Sequence, residues 1–225
     1  MKHPVTAGVV GLALAALLVG CTPSAGDGRP GAAPTTPVAT EVAASPEPTP
    51  IRTPTTRPAS IPTDCTDLVA PEVYAATMRD TPLNDPAFFG QPMGQVTPAA
   101  PAEDADPRGV VAAADQLRCG WRDIRADTTG LFVDVGTVDP ATAEAYVAWL
   151  AEPREATTPS WLDGVAYACA PAHGGTQCQY ATTHPMYGTE MADTVLVRDG
   201  VVVTVTQSNY PTDDLMGAVV TRLWG

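Results

Sequence analysis

Lysine is almost missing from this chain of 225 residues: Lys2 is the only one, and every other basic residue apart from three histidines is arginine. With 12 basic against 25 acidic side chains, the formal net charge is −13. Such a surface repels nucleic-acid phosphates and anionic lipid headgroups, which argues against nucleic acid as a partner and gives no electrostatic hold on a bilayer. Long apolar runs are missing beyond Gly20, where nothing approaches the ~18 residues that a membrane-spanning helix needs. Familiar catalytic motifs are missing too. There is no Gly-x-Ser-x-Gly elbow, no phosphate-cradling glycine loop and no His-Glu-x-x-His helix. Ser160 and Ser208 stand outside any nucleophile motif, and nothing pairs His173 or His184 with a nucleophile. On these grounds no catalytic residue, metal ligand or cofactor is assigned.

What the chain does have begins at its start. Lys2 supplies a positive charge, and Val9 to Val19 form an apolar run of secretory-signal length, too short to span a bilayer. The run closes on Leu18-Val19-Gly20-Cys21, a lipobox, with a branched apolar residue and a small residue before a cysteine. The expectation is a signal peptide over residues 1–20 and a lipid-bearing N-terminal Cys21, its diacylglyceryl and palmitate-type chains seated in the bilayer. Two acyl chains suffice for stable anchoring where one is marginal. The lipid bilayer is thus the first expected partner, with the chain on the extracytoplasmic face of the cell membrane. Loss of Lys2 with the leader leaves the remainder one unit more negative.

Residues 21–63 read as a disordered tether rich in Pro, Thr and Ala. Pro-Thr-Thr-Pro at 34–37, Pro-Glu-Pro-Thr-Pro at 46–50 and Pro-Thr-Thr-Arg-Pro at 54–58 neither build an apolar stripe nor donate regular backbone hydrogen bonds. Polyproline-like extension gives the segment an upper reach of about 120 Å.

Residues 64–225 have the length of one ordinary domain. A first helix is expected from Pro71 to Arg79, then a Pro- and acid-rich loop from Thr81 to about Pro107, in which Glu103-Asp104-Ala105-Asp106 reads as solvated. Leu117, Cys119 and Trp121 alternate with polar or small neighbours, as do Leu131, Val133 and Val135, so both stretches read as half-buried strands. Asp139-Pro140 starts a helix with Tyr146, Trp149 and Leu150 as its stripe, Trp149 as core, and Pro153 as its stop. Residues 164–170 and 176–181 read as a strand pair. Thr194–Arg198 and Val201–Thr206 flank Asp199-Gly200, a strong hairpin signal. A last helix opens near Thr212, with Asp213 and Asp214 in its first turn and Leu215, Val219 and Leu223 on one face. Strands grouped between helices argue an α+β domain, an antiparallel sheet packed by two or three helices.

Four cysteines remain after Cys21: Cys65, Cys119, Cys169 and Cys178. An even number in an exported domain argues disulfides, with three possible connectivities. Cys169 and Cys178 fall on adjacent strands of one expected hairpin, which favours their pairing and leaves Cys65 for Cys119. Cys169, His173, Cys178 and His184 are also spaced like a zinc set, but zinc needs thiolates where an oxidising exterior favours the disulfide.

At Cys65-Thr66-Asp67-Leu68-Val69 and Cys119-Gly120-Trp121 the chain resembles the uncharacterised secreted lipoproteins of high-GC Gram-positive bacteria. In these, a cysteine-led opening follows a Pro/Thr/Ser stalk and a Cys-x-Trp strand comes some way on; Asp67 stands where leucine is usual. The resemblance implies location, stalk and a disulfide-stapled α+β domain of unknown function, and it carries no catalytic residue. Two functions of different class are expected from the whole. The first is a non-catalytic extracytoplasmic domain that binds an envelope protein, a wall polymer or a small ligand. The second is a cell-surface hydrolase acting through acidic residues the sequence does not single out. Converging carboxylates of shifted pKa in a cleft would favour the second.

Overall fold

The computed structural model describes residues 57–126, 128–153, 166–184 and 186–225. The leader, Cys21 and the tether up to residue 56 therefore lie outside the described residues, as do Ser160 and residues 164 and 165 of the expected strand pair. The described chain is α+β, with a seven-stranded antiparallel sheet, four α-helices and two disulfides.

The helices are α1 (Pro71–Thr77), α2 (Pro107–Ala113), α3 (Pro140–Ala151) and α4 (Leu215–Trp224). The strands are β1 (Gly94–Gln95), β2 (Asp115–Trp121), β3 (Gly130–Thr137), β4 (Ala168–Ala172), β5 (Gly175–Thr183), β6 (Glu190–Arg198) and β7 (Val201–Ser208). Their order across the sheet is β1-β2-β3-β7-β6-β5-β4. Alternation sorts the strand residues onto two faces. Leu117, Cys119 and Trp121 of β2, Leu131, Val133 and Val135 of β3, and Val201, Val203 and Val205 of β7 share one face. They are buried beneath α4 through Leu215, Val219 and Leu223, together with Met78 just past α1. Each such side chain contributes about 1.5–3 kcal/mol on burial. The opposite face carries Val195 and Cys178, packed against Val111 of α2 and Tyr146 and Leu150 of α3.

Local chemistry sets the connections. Asp199 and Gly200 both take positive φ, 52° and 78°, as a tight hairpin with the strands' own twist requires. Asp139 caps α3, accepting from the amides of Ala141 and Thr142, with Pro140 at a position that has no amide to satisfy. Asp106 caps α2 in the same way through Gly109, again followed by proline. The sequence predicts a loop to about Pro107 and then a strand, and α2 stands between the two. The last helix starts at Leu215 rather than Thr212, because Asp214 is its cap, accepting from Gly217 at φ 44°.

Cys65–Cys119 joins the short 3-10 turn Cys65–Asp67 to β2, and Cys169–Cys178 links directly opposed residues of β4 and β5 whose Cα atoms are 4.0 Å apart. Packing also begins upstream of Asp64. Ala59 and Ile61 lie half-buried against the α4 side of the core, and the Ser60 amide donates to the Leu223 carbonyl at 2.8 Å.

These contacts give the domain two distinct ends. Register places the β6–β7 and β4–β5 turns together at one end. Trp224, whose ring lies 4.5 Å from the Arg198 guanidinium, and the Arg57 side chain beside Gly225 put the chain's entry into the domain at that end. The β2–β3 turn, the β5–β6 turn and the exit of β7 gather at the other, far end, where Trp121 pairs with Leu131, Thr183 with Glu190, and Gly130 with Ser208.

Candidate functional site

Phe88, Ile124, Met186 and Tyr187 are the large apolar side chains left exposed among the described residues, at 38, 58, 77 and 54%. They come from three loops far apart in sequence, and all four sit at the far end. Phe88 reaches it because the preceding loop is stitched to the end of β2: Leu83 bridges Trp121, the Asn84 amide donates to Gly120 O, and the Arg122 amide donates to Pro82 O. The neighbouring Phe89 lies on Gly120, where a Cβ would stand 2.5 Å from its Cζ, and meets Phe132 edge-on at 5.7 Å. Glycine at that strand position is what lets the loop fold down. Singly exposed apolar residues are ordinary; here four stand on the loop tips of one end.

Between these loops opens a cavity of about 320 Å³, lined by Arg122, Phe132, His184, Tyr187, Met191 and Ser208 among others. A second, wider groove of about 610 Å³ runs beside α1, between Glu72 and Arg79 on one side and Tyr210 and Asp213 on the other. It too lies toward the far end. Arg79 and Asn209 on its rim hold positive φ, 54° and 47°, the former an uncommon conformation for arginine.

A different kind of site is built on the sheet face beneath α2 and α3. Asp193 of β6 is wholly buried and fully partnered: Arg108 Nη2 donates to it at 2.9 Å, the Tyr167 hydroxyl at 2.6 Å, and the Thr206 hydroxyl to its other oxygen. Burial pushes the Tyr167 hydroxyl pKa up, and the Asp193 charge pushes it further. For Arg108, burial is the largest single effect and opposes the charge, but Asp193 together with Tyr146 and Tyr167 outweighs it, so the guanidinium ends above its ordinary value. On the same face Asp115, also buried, is paired with Arg118 at 2.9 Å, and its pKa is raised by burial. Asp134, between them on β3, is pushed up to about 7, first by burial and then by the charges of Asp115 and Asp193, with Arg118 acting the other way. Sequence reading missed this cluster. Its only local signal was a carboxylate between apolar neighbours in a strand, as in Phe132-Val133-Asp134-Val135, and alternation alone places Asp134 on the outward face.

The assigned residues fall as follows. The four later cysteines form the two expected disulfides. Those bonds consume both sulfurs of the alternative zinc set, and its histidines stand at opposite ends of β5, about 30 Å apart by strand rise. Ser208 donates to Thr128 O, and Asp106 of the acidic loop is a helix cap. Trp149 is only half-buried, stacked on Tyr146 at 6.0 Å. No protein-family model and no curated protein matches the chain, so function has to be argued from this geometry.

Proposed function

We propose that this is a membrane-anchored envelope lipoprotein of the secreted high-GC Gram-positive type, held through Cys21, whose folded domain is a non-catalytic binding module with its binding surface at the far end. The observation that carries the reading is the gathering of Phe88, Ile124, Met186 and Tyr187 at the end of the sheet opposite the chain's entry. A domain hung from its entry end presents the other to whatever lies further out. The lipobox at Leu18–Cys21 supports the anchoring, and two disulfides suit an oxidising exterior.

A photo-crosslinking residue placed at Tyr187 or Ile124 in cells should give discrete adducts, whereas one at Asp199, at the entry end, should not. Equal adducts from both ends, or adducts from Asp199 alone, overturn the reading. Anchoring is tested separately: Cys21→Ala should leave the membrane fraction, and its retention there would count against the lipid.

One feature favours the hydrolase alternative, namely Asp134, which burial and the neighbouring carboxylates push up to about 7. Against it, Asp115 and Asp193 are tied up by Arg118 and Arg108, and both far-end cavities are lined without Asp134. General acid catalysis by Asp134 would need a second carboxylate left free to act as base or nucleophile.

A further inference from the structure

We infer that the cavity of about 190 Å³ on the sheet beside the first turn of α4 is a site for one neutral sugar ring, free or borne by a wall glycan. It lies at mid-sheet, apart from the far-end loops, and so goes beyond the reading of that end. The way α4 covers its face opens the site. Leu215, Val219 and Leu223 pack over β2, β3 and β7, and past Leu196 of β6 the same face turns polar, to Thr194, Gln177 and Gln179. Register sets Gln179 opposite Thr194 and Thr194 opposite Val205, one row across three strands. Gln177 and Gln207 stand two residues off that row on the same face. With strands about 4.8 Å apart, the row is about 10 Å across. A volume of about 190 Å³ is below that of drug-sized pockets and suits a single ring rather than a stretch of polymer.

The polar groups are arranged in both senses, as sugar hydroxyls require, since each hydroxyl donates and accepts. Thr212 donates to Gln207 Oε1, so the Nε2 hydrogens of Gln207 point away from Thr212 as donors. Asp214 takes the Gly217 amide on Oδ1 and brings a carboxylate to the rim as an acceptor. Gln177 supplies the observation that separates a binding site from a wetted strand face. Its Oε1 is buried and has no partner among the described residues, whereas a solvated glutamine leaves that oxygen to water. The last torsion of glutamine is broad, so a hydroxyl seated in the cavity meets the oxygen after a turn of the amide. Val205 and Met216 offer apolar surface to the C–H side of the ring. Amides and hydroxyls with one carboxylate match a neutral polyol, and Asp214 sets an acid at a disadvantage.

The test uses the chain from residue 21 carrying Cys21→Ala, which keeps tether and domain together without the lipid. Methyl glycosides of glucose, galactose and mannose are the probes, with tetrahydropyran as the ring without hydroxyls and glucuronate as the acid, followed by side-chain amide shifts. At least one glycoside should bind saturably and shift the NH2 signals of Gln177, Gln179 and Gln207. Glucuronate should be weaker by about threefold or more, and tetrahydropyran should not bind. Gln179→Ala, at an exposed position, should weaken the glycoside by about fivefold, and Asp214→Asn, which keeps a capping oxygen, by about tenfold. Glu144→Gln on α3, across the sheet, should leave binding unchanged. Retention on insoluble wall stripped of protein, lost in the same two variants, assigns the sugar to a wall glycan; glycoside binding without retention assigns it to a free sugar. Neither glycoside binding nor wall retention, equal binding of tetrahydropyran, shifts located elsewhere, or indifference to both substitutions would each overturn the inference. Crosslinks at Tyr187 depend on none of these outcomes, so the two readings fail separately.

Discussion

Tyr167 donates its hydroxyl proton to Asp193 across 2.6 Å, although the two are 26 residues apart and Asp193 is shut off from solvent. With Arg108 on the same carboxylate oxygen and Thr206 on the other, the network makes a buried negative charge tolerable. Arg108 keeps about a third of its side chain exposed, so solvent screens part of the pair.

Removing one partner therefore matters more than the net worth of the pair. Arg108→Met leaves Asp193 buried without its cation and should destabilise by about 2–4 kcal/mol, toward the lower part of that range because of the screening. Tyr167→Phe removes two hydrogen bonds, the one donated to Asp193 and the one accepted from Arg108, and should lose about 1–2 kcal/mol. Urea melts of the two variants check the order. A larger loss for Tyr167→Phe than for Arg108→Met would mean that the hydroxyl, not the guanidinium, holds the charge.

Asp134 gives the domain a pH dependence of definite sign. Its folded pKa is raised to about 7 from 3.8, so between those values the folded chain holds a proton that the unfolded chain has released. Stability then falls as pH rises through that window, and the full penalty is present above pH 7. Asp134→Asn mimics the protonated side chain. It should raise stability by about 1–2 kcal/mol at pH 8, allowing for partial exposure, and change little at pH 4. Equal effects at the two pH values would show that charge is not the reason.

The two disulfides close loops of very different length, with sequence separations of 54 and 9. On the chain-entropy account the long one is worth about 4 kcal/mol and the short one about 2.5. Cys65 and Cys119 are also core residues, at 2 and 0% exposure. Replacing that pair by alanines should lower the melting temperature more than replacing Cys169 and Cys178. The reverse order would locate the stabilisation in the β4–β5 hairpin instead.

Much of this fold was legible because its signals are local. The alternation of Leu131, Val133 and Val135, the Asp199-Gly200 turn and the Asp139-Pro140 helix start each fit within a few residues. The same Asp-Pro pair at 106–107 does not by itself predict a helix, because Gly109 and the short apolar stretch behind it build no helical stripe. The sites are another matter. Phe88, Ile124 and Tyr187 lie in three loops far apart in sequence, and only the pairing of β2, β3 and β5 to β7 gathers them. Arg108 of α2, Tyr167 just before β4 and Asp193 of β6 likewise meet only through tertiary packing. A single sequence shows which residues alternate, not which strand lies next to which.

Where the domain starts is a last point on which packing and composition disagree. Proline density runs on through Pro58 and Pro62, so composition alone extends the tether to residue 63. Proline prevents regular backbone pairing but not burial, and Ala59 and Ile61 lie against the core beside α4 while Ser60 donates to Leu223. That amide satisfies one of the last carbonyls of α4, which have no partner within the helix. Beginning the chain at Asp64 removes the apolar contact and leaves the Leu223 carbonyl to water. Together these should lose about 1–3 kcal/mol, or roughly 3–8 °C in a domain of this size. Thermal melts of chains beginning at Arg57 and at Asp64 measure it directly, and Ile61→Ser in the longer chain should reproduce part of the loss. Coincident melts would mean that residues 57–63 lie against the domain without stabilising it.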